Sequence, residues 1–379
     1  MIVQRFVDWL GQSRSTERAG AARILSVGFA QGRYPDDDPE LAELSLMALA
    51  EDISPAVRIE LAQSIAGVSD VPRGLVLTLA GDVDRVAVPV VARSPVLVPA
   101  DLVTLASSGR EAIEIAVASR RGLPARVSAV LAERAGEAAC LKLLRNETAA
   151  ILASGLALIG ERHMHCAAIR DALARRRDCP PALRHQLVGA IARSLSDESF
   201  VTAVLGARRT ERVLQEAGEK ATAIVADAVP PAGRAEFLAY LRRAGRLNLA
   251  FLLRAVAGGH IDLFVDSLVE LSGYAPRRVR AIVVDGRATA FRALVSASGI
   301  PVEVAPLLRQ AVVTWREVLA RTPHAAPEDV APLVMERLAA SFARSQDSDG
   351  FADLLQRVHQ LAGEAVVEAA RDRVRRLAA

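Results

Sequence analysis

The sequence predicts an all-α protein: an α-solenoid of helical hairpins over residues 1–178, then an irregular helical domain over 179–379. Three observations predict it. The chain is 51% hydrophobic but only 4% aromatic, and its apolar mass is Ala, Val and Leu. Ala and Leu are strong helix formers, and small side chains let helices pack at close range. Four windows beginning at Leu49, Leu79, Leu105 and Leu131 repeat one pattern, with starts 30, 26 and 26 residues apart. The rest of the chain runs in amphipathic stretches of helical length separated by Gly and Pro breaks, without the alternation of strands.

Upstream of the windows, Glu17 to Gly32 and Pro39 to Glu51 read as helices, joined by the acidic loop Tyr34-Pro35-Asp36-Asp37-Asp38. The aspartates suit a helix N-terminus better than a cation site. Each window then opens with Leu-Ala, passes through a polar or Gly-containing turn, and continues into a second apolar helix ending near Ser64, Ser94, Arg120 or Asn146. One such hairpin cannot bury its apolar face alone, so neighbours must stack. In the first window Asp52 and Ser54 are placed to cap, Pro55 fits a first turn, and Val57, Leu61 and Ile65 recur at helical spacing. Val86 to Val91 is β-branched, but Pro89 disfavours a central strand and the register belongs to a helix. That segment is therefore a helix kinked or started near Pro89. Ala150 to Ile159 and Cys166 to Arg177 continue the helices, and Arg177-Asp178-Cys179-Pro180-Pro181 breaks the chain. Beyond it the landmarks are Val229 to Gly233, Gly258-Gly259, Ser272-Gly273, Asp285-Gly286, Gly299-Ile300-Pro301 and Asp347 to Gly350, at no fixed period.

Asp52, Val57 and Arg58 hold the places of the Asp and Val-Arg in the turn of the HEAT repeat, which the first window resembles. Ser94-Pro95-Val96-Leu97, Arg121 to Val127 and Leu141 to Asn146 resemble a bacterial family of unknown function built on HEAT-like repeats. Leu252 to Ala255, Gly259 to Phe264, Arg277 to Arg280, Phe291 to Leu294 and Gly299 to Pro301 match its second, helical block. The resemblance implies the fold and no reaction.

The formal charge is +3, with 47 basic and 44 acidic residues, and Lys142 and Lys220 are the only lysines. So small an excess is not the field of a dedicated nucleic-acid binder. Cys140, Cys166 and Cys179 are too few for a disulfide framework and read as reduced core residues. Charge interrupts the apolar residues of Met1 to Trp9 too early for a signal peptide, and no run reaches the length of a membrane span. The expected compartment is the cytoplasm, with no membrane partner.

No phosphate loop, dinucleotide fingerprint, nucleophile elbow or zinc-protease motif occurs, so no catalytic residue and no cofactor is assigned; a non-enzyme is favoured and the question of activity stays open. His163-Met164-His165-Cys166, with Cys179 and His185, carries metal-ligand chemistry. On one helix, however, the two histidines diverge, and the spacing fits no closed site, so no metal is assigned either. Asp347 to Gly350 lacks the later ligands of a calcium loop. Arg175 to Arg177, Arg208-Arg209, Arg242-Arg243, Arg277-Arg278 and Arg371 to Arg376 suit helix C-termini or solvated faces.

The candidate binding residues are Arg58 and the phased Arg93, Arg120 and Arg145, which recur on successive second helices. They suit an acidic face on a protein partner, the leading expectation being an interaction scaffold or regulatory adaptor. The alternative is nucleic acid, against which the scarcity of aromatics counts. A third reading, an enzyme built on His260, Asp262 and Asp266, has the least support.

Overall fold

The protein is described here from a computed structural model, which covers residues 9, 12–31, 39–196 and 206–321, with 330, 333, 334, 336, 337 and 340 beyond them. The acidic loop at 34–38, the segment 347–350 and Arg371, Arg373, Arg375 and Arg376 lie outside the described residues. Among the described residues all regular structure is helical and no strand forms. The chain divides into two compact units, Met1–Leu183 and Arg184–Ala379.

The first unit contains α1 (Ser15–Ala30), α2 (Pro39–Ala50), α3 (Pro55–Ile65), α4 (Arg73–Gly81), α5 (Asp84–Arg93), α6 (Pro99–Ala106), α7 (Glu111–Ala118), α8 (Ala125–Arg134), α9 (Glu137–Arg145), α10 (Ala153–His163) and α11 (Ala167–Arg175). Consecutive helices pair as hairpins: α2 with α3, α4 with α5, α6 with α7, α8 with α9, and α10 with α11. The second helices also form a row, since α1, α3, α5, α7, α9 and α11 each contact the next. Among the first helices, α2 contacts α4, α6 contacts α8, and α8 contacts α10. The buried positions explain this arrangement. Val57 and Leu61, Val86 and Val90, Ile113 and Val117, and Ala139 and Leu143 lie one turn apart on successive second helices, and all are buried. Leu79, Ala106 and Leu131 face them from the first helices, equally buried. Each hairpin completes the core of its neighbour, so burial drives the stacking.

Val86 to Val91 is helical throughout, and the helix starts at Asp84 rather than near Pro89. Packing of α5 against α3, α4 and α7 overrides the β propensity of its valines. Pro89 stands inside the helix, where it removes one backbone donor. The Ser54 side chain makes no capping hydrogen bond. The Asp52 carboxylate instead accepts from the Ser54 amide at 2.8 Å, which turns the loop, and is held by Arg18 at 2.6 Å.

Successive hairpins are also tied by side chains at the spacing of the repeat. Arg18 reaches Asp52, and Arg58 reaches Asp82 at 2.6 Å and the Asp52 carbonyl at 2.5 Å. Arg110 reaches Asp84 at 2.5 Å and the Asp82 carbonyl at 2.6 Å. Further along, the acceptors become free carbonyls at helix C-termini, which otherwise lack intrahelical donors. Arg120 donates to Val91 and Ser94, Asn146 to Ala118 and Arg120, and Arg162 to Ala132 and Ala135.

The second unit takes in α12 (Pro181–Ser196) from Arg184 onward, then α13 (Ala207–Asp227), α14 (Pro231–Arg243), α15 (Leu249–Ala257), α16 (Ile261–Ser272), α17 (Pro276–Asp285), α18 (Ala288–Ala297), a 3-10 turn (Val302–Val304) and α19 (Ala305–Arg321). The landmarks Gly258-Gly259, Gly273, Gly286 and Gly299 to Pro301 fall between helices, whereas Pro231 opens α14 and Gly233 lies in its first turn. Alternate helices again touch: α13 with α15, α14 with α16, α16 with α18, and α17 with α19. Phe237, Phe251, Phe264, Phe291 and Trp315 fill its core. Trp315 donates its indole N–H to the Val256 carbonyl at 2.7 Å and lies against Gly259, whose φ is +82°. A Cβ there would stand 2.4 Å from the ring, so only glycine fits.

Candidate functional site

The four candidate arginines do not form one uniform row. The Arg58 guanidinium is 16% exposed and bonds to Asp82 and the Asp52 carbonyl. Burial draws the Asp82 carboxyl upward, but hydrogen bonds from Arg58 and the Val83 amide outweigh it and hold the group below the usual carboxylate range. Arg120 follows α7 and turns its guanidinium onto the last carbonyls of α5, where burial lowers its pKa. Arg93 and Arg145, by contrast, end α5 and α9 exposed, with no described partner.

Midway along the second helices runs an apolar strip. The fifth residues of α3, α5, α7 and α9 are Ile59, Val88, Ile115 and Leu141, and all four are half-buried. At 100° per residue each lies about 200° around its helix from the core positions two before and two after it. The strip therefore faces away from the hairpin core. Sequence reasoning singled out the arginines and missed these aliphatics, although the repeat register marks them.

His163 and His165 come together, contrary to the expectation that they diverge on one helix. The helix α10 ends at His163, and Cys166 is already the N-cap of α11. Five hydrogen bonds from three residues hold this corner. Arg162 ties the end of α10 to the Ala132 and Ala135 carbonyls, the Cys166 amide donates to the His163 carbonyl, and Arg170 donates to the Met164 and His165 carbonyls. The imidazole centroids are 6.2 Å apart. Glu137, the first residue of α9, completes the group, and its carboxylate lies 2.6 Å from His165 Nε2.

One ligand atom from each of Glu137, His163 and His165 lies within 4.8 Å of the other two. The hydrogen bond with His165 leads in lowering the Glu137 pKa, burial opposes it, and the Cys166 thiol assists. Burial, then the nearby Arg162, lowers that of His163. Glu137 went unnoticed because it is 28 residues from His165. That interval is one repeat, which was the available signal. Cys179 and His185 take no part in this set: Cys179 is a buried thiol beside the Pro180 carbonyl, and His185 lies in the second unit. Cys140 is also buried, and burial pushes its thiol up to about 11.

In the second unit a cleft of about 660 Å³ is lined by α12, α13, Tyr240 of α14, the turn that follows it and Phe251 of α15. His185 Nδ1 lies 3.0 Å from the Tyr240 hydroxyl, with the rings edge to face. Burial and then the Arg246 charge lower the His185 pKa, and burial raises that of Tyr240. Arg193 and Arg246 share the lining with Glu211 and Glu219, so the cleft has mixed charge. The residues of the enzyme reading are each committed separately: His260 to Asp227 at 2.7 Å, Asp262 to Arg280 at 2.8 Å, and Asp266 to Arg234 at 3.0 Å.

Among the described residues no helix is long and apolar enough to cross a membrane. Residues 86–347 match a protein family described as an uncharacterised protein conserved in bacteria, DUF2336. No curated protein and no solved structure matches the chain.

Proposed function

The chain belongs to the bacterial DUF2336 family, and from that premise we propose that it is a non-enzymatic interaction scaffold or adaptor. On this reading its first unit is a HEAT-like solenoid that binds a protein partner in the cytoplasm along the row of second helices. The observation that carries it is the half-buried strip Ile59, Val88, Ile115 and Leu141, on second helices of which two end in the exposed Arg93 and Arg145. An apolar strip with a charged rim is the composition of a protein-binding face. The Arg-Asp rungs at repeat spacing support the HEAT-like assignment, since they join neighbouring hairpins.

Affinity capture of the tagged full chain from the bacterium that makes it tests the reading. It should recover a stoichiometric protein that Ile115→Asp with Leu141→Asp releases while the fold is retained. Capture of no such protein, or capture indifferent to both substitutions, would count against it. Nucleic-acid binding through Arg93 and Arg145 is the second reading, and a salt titration separates the two. Binding to DNA or RNA that weakens steeply with salt and with both arginines replaced would favour it.

A further inference from the structure

We propose that Glu137, His163 and His165 form a binding site for a divalent transition metal of the zinc class, at the corner where α10 passes into α11 against the start of α9. Two imidazoles and one carboxylate are the donor set of open zinc sites, which keep a fourth position for water or another ligand. In such a tetrahedral site the donor atoms stand about 3.3 Å apart. Here all three lie within 4.8 Å of one another, so closure on an ion needs only side-chain movement. The His165–Glu137 hydrogen bond opens as both atoms turn to the metal.

Two further observations favour a ligand here over a plain ion pair. The first is His163, which is only 8% exposed and whose Nε2 is buried with no hydrogen-bond partner. A buried nitrogen left without a partner is destabilising, and a metal bond removes that penalty. The second is the position of the pair on the repeat. Arg110 just before α7 meets Asp84 at the start of α5, and His165 just before α11 meets Glu137 at the start of α9. At the first place the cation is a guanidinium, which has no lone pair to give. At the second it is an imidazole, and a further imidazole is set beside it. The exchange turns a rung that can only join two hairpins into one that can also coordinate. The backbone bonds from Arg162, Arg170 and Cys166 fix the corner without using the three donor atoms.

The test is titration of the metal-free full chain with zinc chloride, by calorimetry and by competition with a chromophoric chelator. One zinc per chain is expected. His165→Ala and Glu137→Gln should each weaken binding by at least about tenfold, the loss seen even when a supporting hydrogen bond of a metal ligand is removed. Both side chains are largely exposed, at 70% and 48%, so both variants should fold, which circular dichroism checks. Lys142→Ala, an exposed control on α9, should bind as the native chain does. Cobalt substitution gives an independent readout: a four-coordinate visible spectrum that either substitution abolishes. Failure of the native chain to bind zinc, or binding undiminished in both variants, would overturn the proposal. Neither result depends on finding a partner for the apolar strip.

Discussion

Arg58 and Arg120 do structural work with a group usually read as a ligand for acids. The planar guanidinium presents several donors in a fixed fork, so one arginine can answer two carbonyls where lysine offers a point charge. Arg120→Ala leaves the Val91 and Ser94 carbonyls without their donors, and should lower the unfolding free energy by about 1–3 kcal/mol. Arg93→Ala and Arg145→Ala should stay within about 0.5 kcal/mol. Urea denaturation of the three variants checks this, and an equal loss at Arg145 would contradict the assignment. Gly259→Ala should be costly in the other unit, by about 2–4 kcal/mol, because it adds left-handed strain to a clash with Trp315. Its thermal melt should be lowered accordingly, with tryptophan emission shifted toward that of an exposed indole.

On the scale of the elements, the rungs at α3 and α5 make stability depend on acid. Asp52 and Asp82 both titrate below the usual carboxylate range, because hydrogen bonds from arginine and backbone amides outweigh burial. The unfolded chain then takes up protons first, near the ordinary Asp value of about 3.9. Their stabilisation is therefore complete above that value and is lost as pH falls through the lower folded one. Unfolding measured between about pH 6 and pH 3 should weaken more steeply in the native chain than in the Asp52→Asn, Asp82→Asn variant. Parallel profiles would mean that other groups set the acid limit. Arg58→Ala should cost about 1–2 kcal/mol at neutral pH, a moderate value because water still reaches the pair. The same scale shows why α5 was hard to read. Its valines carry strand propensity and it holds an internal proline, yet three neighbouring helices fix it as a helix.

For the whole molecule, the two compact units imply separable folding. A fragment ending at Leu183 should retain helical circular dichroism and melt cooperatively, since each hairpin within it is completed by the next. A fragment that is helical but melts without a transition would show that the first unit needs the second. Stacking also explains the uneven legibility of the two halves. Between Leu49 and Asn146 the hairpins have nearly equal helices and turns, so the register repeats and can be counted. In the second unit α13 spans 21 residues and α15 only 9. Alternate-helix packing is present there too, but at changing intervals that no fixed period detects.

What the sequence determined by itself was the helical class, the hairpin register and the breaks between helices. These follow from local propensity and from the spacing of apolar residues along one chain. Tertiary structure alone decided which polar side chains would be spent on the fold and which would converge. Arg58 and Arg120 look like Arg93 and Arg145 in the sequence, and only the neighbouring hairpin supplies the acceptors that separate them. Glu137 and His165 are a repeat apart and meet only because α9 and α11 stack, while His163 joins them because α10 ends beneath it. Such contacts depend on the superposition of successive hairpins, a distance set by packing rather than by position in the chain.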